Sequence, residues 1–370
     1  MNILVTMGSF KDVFSPIETA SIVNNALHNH NVLCVPMCDG GEYTYDVIKH
    51  HIKCKEIFVQ DIINPYGKYV DSRYLVVDDT AYIISSEVLR LFPDEDRYKN
   101  PLHLSDYGLG QLCLDAIRRG YKKINLCLGG TSTVGFGMGF AQAMGTIFKD
   151  REGNIITKPI TPNDLNNIAH IESKKRDDIQ LLVINDGITT AYDLPAVNPQ
   201  KIGQFFKDNQ KDILAKLDIS LSKACLLTGV EMDTPYAGNA GGICFGIETV
   251  TTGSYVKGTD FFMELFGVKE KMSKVELVIT GEGRLDNVHT EKLPVSISMA
   301  AQKIGRNLLY ICGQRSQEAT DTVVLKYGIE DVLCCCDHYP DVKEKFIDDV
   351  EKYRCLTPIV IRQELLKRYG

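Results

Sequence analysis

The chain has 370 residues, 44% of them hydrophobic and 24% charged, with a formal net charge of -7. That length predicts two domains, because a single core stops growing beyond about 250–300 residues. The acidic balance excludes nucleic acid as the main partner, since no basic stripe exists to neutralise a phosphate backbone; a small phosphate ligand held by a few local donors stays open.

The first element is an apolar run, Met1-Asn2-Ile3-Leu4-Val5-Thr6. It reads as a buried strand and lacks the basic start and cleavage site of a signal peptide. No apolar run approaches the roughly 18 residues a membrane span needs, so a cytoplasmic protein without a membrane partner is expected. A helix is predicted over 16–28, opened by Ser15 as cap and Pro16 in the first turn. A strand at 31–37 follows, then Asp39-Gly40-Gly41-Glu42, a helix near 42–52 and a strand near 54–59. Residues 66–86 carry β-branched and aromatic side chains around Asp78-Asp79, which predicts a hairpin.

A helix at 107–119 and a strand at 123–128 precede a glycine-rich segment at 129–145. Lys174-Lys175-Arg176-Asp177-Asp178 reads as a solvated loop before a buried strand at 180–185. The last third alternates strands at 275–280, 308–312 and 331–335 with helices at 294–304, 317–326 and 341–353. Repeated strand-loop-helix units imply parallel strands with crossover helices. The fold class expected is α/β with two domains. The two strands at the start and the three at the end make a flavodoxin-like, doubly wound, five-stranded parallel sheet from residues 1–65 and 270–370, and 66–269 form an inserted mixed α/β domain.

In such a sheet ligands bind beyond the carboxyl ends of the strands. Gly281-Glu282-Gly283-Arg284-Leu285-Asp286 stands at such an end. Its glycines allow close approach of a ligand to the backbone. Arg284 suits a carboxylate or phosphate through a bidentate fork, and Glu282 or Asp286 suits Mg²⁺ through oxygen; the alternative is a turn with a local ion pair. Asp39 and Glu42 flank a glycine turn and serve either as base and metal ligand or as a turn with Glu42 at a helix start. Ser9 and Lys11 follow the first strand, where Lys11 is either a cation for a transferring phosphoryl group or a solvated lysine. Leu128-Gly129-Gly130-Thr131-Ser132-Thr133 offers amides and hydroxyls to phosphate, and tight packing explains its glycines almost as well. The same two readings apply to Ala237-Gly238-Asn239-Ala240-Gly241-Gly242, which opens an apolar helical run. Neither the Walker spacing nor the dinucleotide glycine fingerprint is present. Twelve cysteines include the run Cys334-Cys335-Cys336, which lacks C-x-x-C spacing and reads as structural.

Taken together and in order, these segments resemble type I glycerate kinases. Ser9-Phe10-Lys11 is similar to the family's D-S-F-K-G, and Pro36-Met37-Cys38-Asp39-Gly40-Gly41-Glu42 with Thr44 to P-M-A-D-G-G-E-G-T. Asn100-Pro101 and Tyr107-Gly108-Leu109-Gly110 match N-P followed by Y-G-x-G. Leu128-Gly129-Gly130 through Gln142-Ala143-Met144-Gly145 resembles the L-G-G segment that ends Q-A-L-G, and Pro199-Gln200-Lys201 matches P-Q-K. Gly238-Asn239-Ala240-Gly241-Gly242 resembles G-A-A-G-G, and Val278 through Asp286 resembles V-I-T-G-E-G-R-I-D. Collinearity over about 300 residues makes the set specific.

The resemblance implies ATP-dependent phosphorylation of glycerate or a similar small hydroxy acid, with Mg²⁺, in a cleft between two α/β domains. It implies catalytic roles for Lys11, Asp39 and Arg284. It implies ligand contacts at Ser9, Gly40, Gly41, Glu42, Gly129, Gly130, Thr131, Gly241, Gly242, Gly281, Gly283 and Lys292, and metal contacts at Asp186, Glu282 and Asp286. A homodimer is admitted. The chain departs from the pattern at Gly8, Asp12, Tyr43 (a family glycine) and Val134-Gly135 (the family's N-D), and in the segment from Asn287 to Pro294. Lost polar groups usually mean a changed ligand. A second reading therefore stands beside the first: a catalytically impaired relative that binds a nucleotide or small acid in a regulatory role.

Overall fold

The computed structural model describes residues 1–10, 13–90, 100–185, 187–194, 210–286, 292–339 and 349–370. Its strands in chain order are β1 (Asn2–Val5), β2 (Asn31–Cys34), β3 (Lys55–Ile63), β4 (Tyr69–Val77), β5 (Thr80–Ile84), β6 (Lys123–Leu128), β7 (Ile147–Asp150), β8 (Ile168–Glu172), β9 (Gln180–Asn185), β10 (Ser254–Lys257), β11 (Leu277–Leu285), β12 (Asn307–Arg315) and β13 (Asp331–Cys334). The fold is mixed α/β in two compact units. Met1–Asp39, Asp46–His51 and Thr259–Gly370 make the first, and Gly40–Tyr45 with Ile52–Gly258 the second.

In the first unit the strand order is β13-β12-β11-β1-β2, with every neighbour parallel. Ile3 of β1 is in register with Val32 on one side and Leu277 on the other. Val278, Ile279, Leu309 and Ile311 are fully buried, as continuous apolar strands of a parallel sheet are when helices cover them. The helix Pro16–Ala26 starts on a capping box: Glu18 N donates to Ser15 Oγ at 3.2 Å, and Ser15 N donates to the Glu18 carboxylate at 2.8 Å. Of the helix expected at 341–353, residues 341–348 lie outside the described residues; the last helix runs Val350–Tyr369.

Two expectations change here. Gly281-Glu282-Gly283-Arg284 is not a loop beyond a strand ending at 280. It lies inside β11, which pairs with β12 as far as Leu285 opposite Arg315. A Cβ at Gly281 would stand 1.9 Å from the Ile311 carbonyl oxygen, so only glycine lets the two backbones stay paired there. The strand near 54–59, placed with the first domain by sequence order, is β3 and pairs antiparallel with β4 in the other unit.

The second unit holds a six-stranded mixed sheet in the order β10-β9-β6-β5-β4-β3. β5, β6, β9 and β10 are parallel, while β3, β4 and β5 are antiparallel. The β4–β5 hairpin turns at Asp78 (φ 52°), a left-handed position that Asp tolerates. A small ribbon of β7 and β8 stands apart. Phe136, Phe140, Phe148 and Phe245 are fully buried in this unit's core. No helix among the described residues is long and apolar enough to cross a membrane.

Candidate functional site

Polar groups collect at the carboxyl edge of the first unit's parallel sheet. β11 is tied to the first strand's exit: Gly8 N donates to Gly281 O at 3.0 Å, and Gly283 N donates to Ser9 O at 3.3 Å. Glu282 is half-buried between these glycines. Its Oε1 accepts from the Tyr310 hydroxyl at 2.7 Å, and Lys292 Nζ stands 3.7 Å away. The same Lys292 ammonium makes a direct ion pair with Asp286, and Arg284 Nε lies 4.0 Å from the Asp286 carboxylate. Burial raises the Glu282 pKa; Lys292 and the Tyr310 hydrogen bond pull it back, while the charges of Asp286 and Asp39 push it up further. Tyr310 is itself fully buried, and its phenol is driven well above its ordinary value by burial and by the Glu282 charge. The edge therefore gathers two carboxylates, Glu282 and Asp286, around Lys292, with Arg284 exposed beside them and the charge of Asp39 felt at Glu282.

Glu282 and Asp286 offer carboxylate oxygens, the donor type a hard cation such as Mg²⁺ takes. Lys292 now neutralises part of the charge. Lys11 and Asp186 lie outside the described residues.

In the second unit another set of loops converges. Gly40 has φ 105°, and a Cβ there would lie 3.0 Å from the Ile184 carbonyl oxygen at the end of β9. Its amide donates to Thr44 Oγ1 at 3.2 Å. A Cβ at Gly130 (φ 63°) would lie 2.8 Å from Glu42 Cγ, so the loop 40–44 rests on the turn after β6. Gly129 is held at both ends by Ser85, whose hydroxyl donates to Gly129 O at 2.9 Å and accepts from Gly129 N at 3.0 Å. Ser132 N donates to Leu89 O at 2.8 Å. Among the described residues the amides of Gly130 and Thr131 have no protein acceptor, so they are the part of this loop open to an anion.

Gly241 and Gly242 are positioned for packing. A Cβ at Gly241 would stand 1.8 Å from the Thr133 carbonyl oxygen, and one at Gly242 3.0 Å from the Phe136 ring. Phe136 N donates to Gly241 O at 3.1 Å, so these glycines brace the back of the 129–137 loop.

Three residues were not singled out from the sequence. Tyr310 orients Glu282, as above. Asn185 closes β9 fully buried, yet neither its amide nitrogen nor its oxygen has a partner among the described residues. Such a group costs about 1–3 kcal/mol and points to a ligand or water that completes it. Asp106 explains the altered Val134-Gly135 step. It is fully buried, accepts from Gly137 N at 2.9 Å and Phe140 N at 2.8 Å, and its Oδ2 stands 2.5 Å from where a Gly135 Cβ would be. Tyr43, at a family glycine, keeps a glycine-like φ of 64°.

The sequence model of the glycerate kinase family matches residues 3–357. Glycerate kinase from Neisseria meningitidis serogroup B is 27% identical over 327 residues, covering 85% of each chain. Glycerate 2-kinase from Escherichia coli K12 is 27% identical over 371 residues, covering 94% of this chain and 93% of its own. The crystal structure of a candidate glycerate kinase 2 from Salmonella typhimurium LT2 superposes with a TM-score of 0.73 at 20% identity, covering 100% of this chain and 98% of its own, and so shares the fold. With a family match running almost from end to end, collinear with the loops that carry these polar groups, the chain belongs to the glycerate kinase family.

Proposed function

We propose that the protein transfers the γ-phosphoryl group of ATP to glycerate or a closely related small hydroxy acid, with Mg²⁺ as cofactor. The observation that carries this reading is the cluster of Glu282 and Asp286 on Lys292, under the charge of Asp39, at the carboxyl edge of a parallel sheet. The strand order of the first unit, 2-1-3-4-5 when counted within it, supports a flavodoxin-like domain whose ligands bind at that edge, with the second unit as its insertion.

Phosphoryl transfer asks a protein mainly for positioning and for stabilisation of charge. Glu282 and Asp286 would hold Mg²⁺, which supplies neutralisation of phosphate oxygens when bound. Tyr310 and Lys292 fix the Glu282 carboxylate. Arg284, exposed and forked, grips the acid's carboxylate or a phosphate, with Lys11 as a second cation. Asp39 accepts the proton of the attacking hydroxyl. Within the second unit by itself, the Gly130 and Thr131 amides and the buried Asn185 carboxamide are the groups suited to phosphate oxygens or a nucleotide. The impaired-relative reading drew on the missing carboxylate at Gly135. Asp106 brings a carboxylate of its own into that space, so the loop is rebuilt rather than emptied.

The test is ADP release from ATP, Mg²⁺ and D-glycerate, with ³¹P spectra identifying the hydroxyl that is phosphorylated. Glycerate-dependent ADP is expected, and Arg284→Ala should lower kcat/KM about a hundredfold. ATP binding without turnover on glycerate or related hydroxy acids would overturn the proposal in favour of a binding role.

A further inference from the structure

The cysteine run set aside on spacing grounds looks different once folded. Cys334 closes β13, and a 3-10 turn at Cys335–His338 folds the chain back. The Cys334 and Cys336 sulfurs meet at 3.4 Å, and these two sulfurs and a carboxylate oxygen of Asp337 all lie within 4.8 Å of one another. From β12, the Cys312 thiol hydrogen-bonds with Cys334. Cys312, Cys334 and Cys336 are buried and Asp337 is exposed, so the cluster has a dry thiol floor and a carboxylate at its mouth.

We propose that Cys334, Cys336 and Asp337 form a zinc site, with Cys312 or water as the fourth donor. Zn–S bonds of about 2.3 Å in a tetrahedron put sulfurs about 3.8 Å apart, close to the spacing already present. Two thiolates and a carboxylate are a donor set suited to a borderline divalent ion rather than to monovalent copper, which prefers sulfur alone. With water as the fourth donor, binding replaces two S–H bonds by two Zn–S bonds and releases two protons to solvent, and with Cys312 three of each, so affinity rises with pH. The second layer is partly in place, since the Arg315 backbone amide hydrogen-bonds with the Cys336 sulfur. A bound ion held by Cys312 as well would pin the carboxyl half of β12, two residues beyond Tyr310, to the end of β13. The C-x-x-C rule misses this site because its donors come from an i, i+2 pair and the next residue.

The test titrates the reduced full-length protein with Co²⁺. One equivalent should give a sulfur-to-cobalt charge-transfer band that Zn²⁺ abolishes, and Zn²⁺ should raise the Tm. Cys334→Ser and Cys336→Ser should each remove the band, while Cys355→Ser, at an exposed cysteine elsewhere, should keep it. Asp337→Asn removes the carboxylate and should weaken the cobalt affinity by at least about tenfold, with the Tm of the apo variant measured alongside. No band at saturating Co²⁺, a band that survives the Cys334→Ser/Cys336→Ser double variant, or a Cys334–Cys336 disulfide in place of bound metal would each overturn the proposal.

Discussion

Replacing Tyr310 by Phe isolates one hydrogen bond at the carboxylate cluster. The ring is fully buried, so the change leaves packing intact and deletes only the hydroxyl that donates to Glu282 at 2.7 Å. A hydrogen bond to a charged acceptor contributes about 1.5–3 kcal/mol, so its loss should push the Glu282 pKa higher still. Burial already raises this carboxyl. A group with a raised folded pKa contributes stability that is complete below its unfolded value and is lost as pH rises through its folded value. Tyr310→Phe should therefore cost little at about pH 4 and roughly 1.5–3 kcal/mol at about pH 8. Thermal unfolding across that range measures the gap. Repeating it in a Glu282→Gln background should make the gap independent of pH. A wild-type gap that is already constant with pH would refute the claim that Tyr310 holds the ionised carboxylate. If Glu282 works in its ionised form, the acid limb of kcat/KM should move to higher pH in the variant.

Asn185→Leu removes a buried carboxamide that has no partner among the described residues, so Tm should hold or rise while ATP affinity, read by calorimetric titration, falls by about tenfold or more; unchanged ATP binding would remove Asn185 from the nucleotide site. At Tyr43, with φ 64°, the Gly variant should be more stable than the Ala variant by about 1 kcal/mol in urea unfolding, the reverse of the usual order. Burial lifts Asp106 to about 6, against the backbone hydrogen bonds from Phe140 and Gly137. Its contribution is complete below the unfolded value and lost as pH rises through about 6. The stability of the wild type relative to Asp106→Asn should then fall by on the order of 3 kcal/mol between about pH 4 and pH 7, and a flat difference would contradict the assignment.

The strands were legible wherever an apolar run stood between polar loops, as at Asn2–Val5 and Asn307–Arg315, and the cap at Ser15 marked its helix because capping is a local interaction. Partner choice was not local: nothing near β3 says that it pairs with β4 rather than with the first sheet. The extent of β11 was hidden because glycine signals a turn, whereas Gly281 is needed for close backbone pairing. The helix Gln210–Thr228 buries Leu217, Leu221 and Ala224, but Ile219 and Leu226 are exposed and blur its apolar stripe. At the site, charged residues after strands could be found one by one. Tyr310 and Asn185 could not, because one sits within the apolar strand β12 and the other at the end of β9, and only their partners, or the lack of them among the described residues, give them away.

The placement of β1 has a consequence for synthesis. Ile3 takes Val32 as a neighbour early, but its other neighbour, Leu277, leaves the ribosome only after the entire second unit has been made. During elongation the nascent chain carries β1 with one row of backbone donors and acceptors unpaired, while the continuous stretch from Ile52 to Gly258 can collapse on its own. An unpaired apolar edge is a template for wrong pairing with other chains. Slow translation through the last third, or a break downstream of Gly258, would prolong the lifetime of that edge and expose the protein to aggregation or chaperone capture.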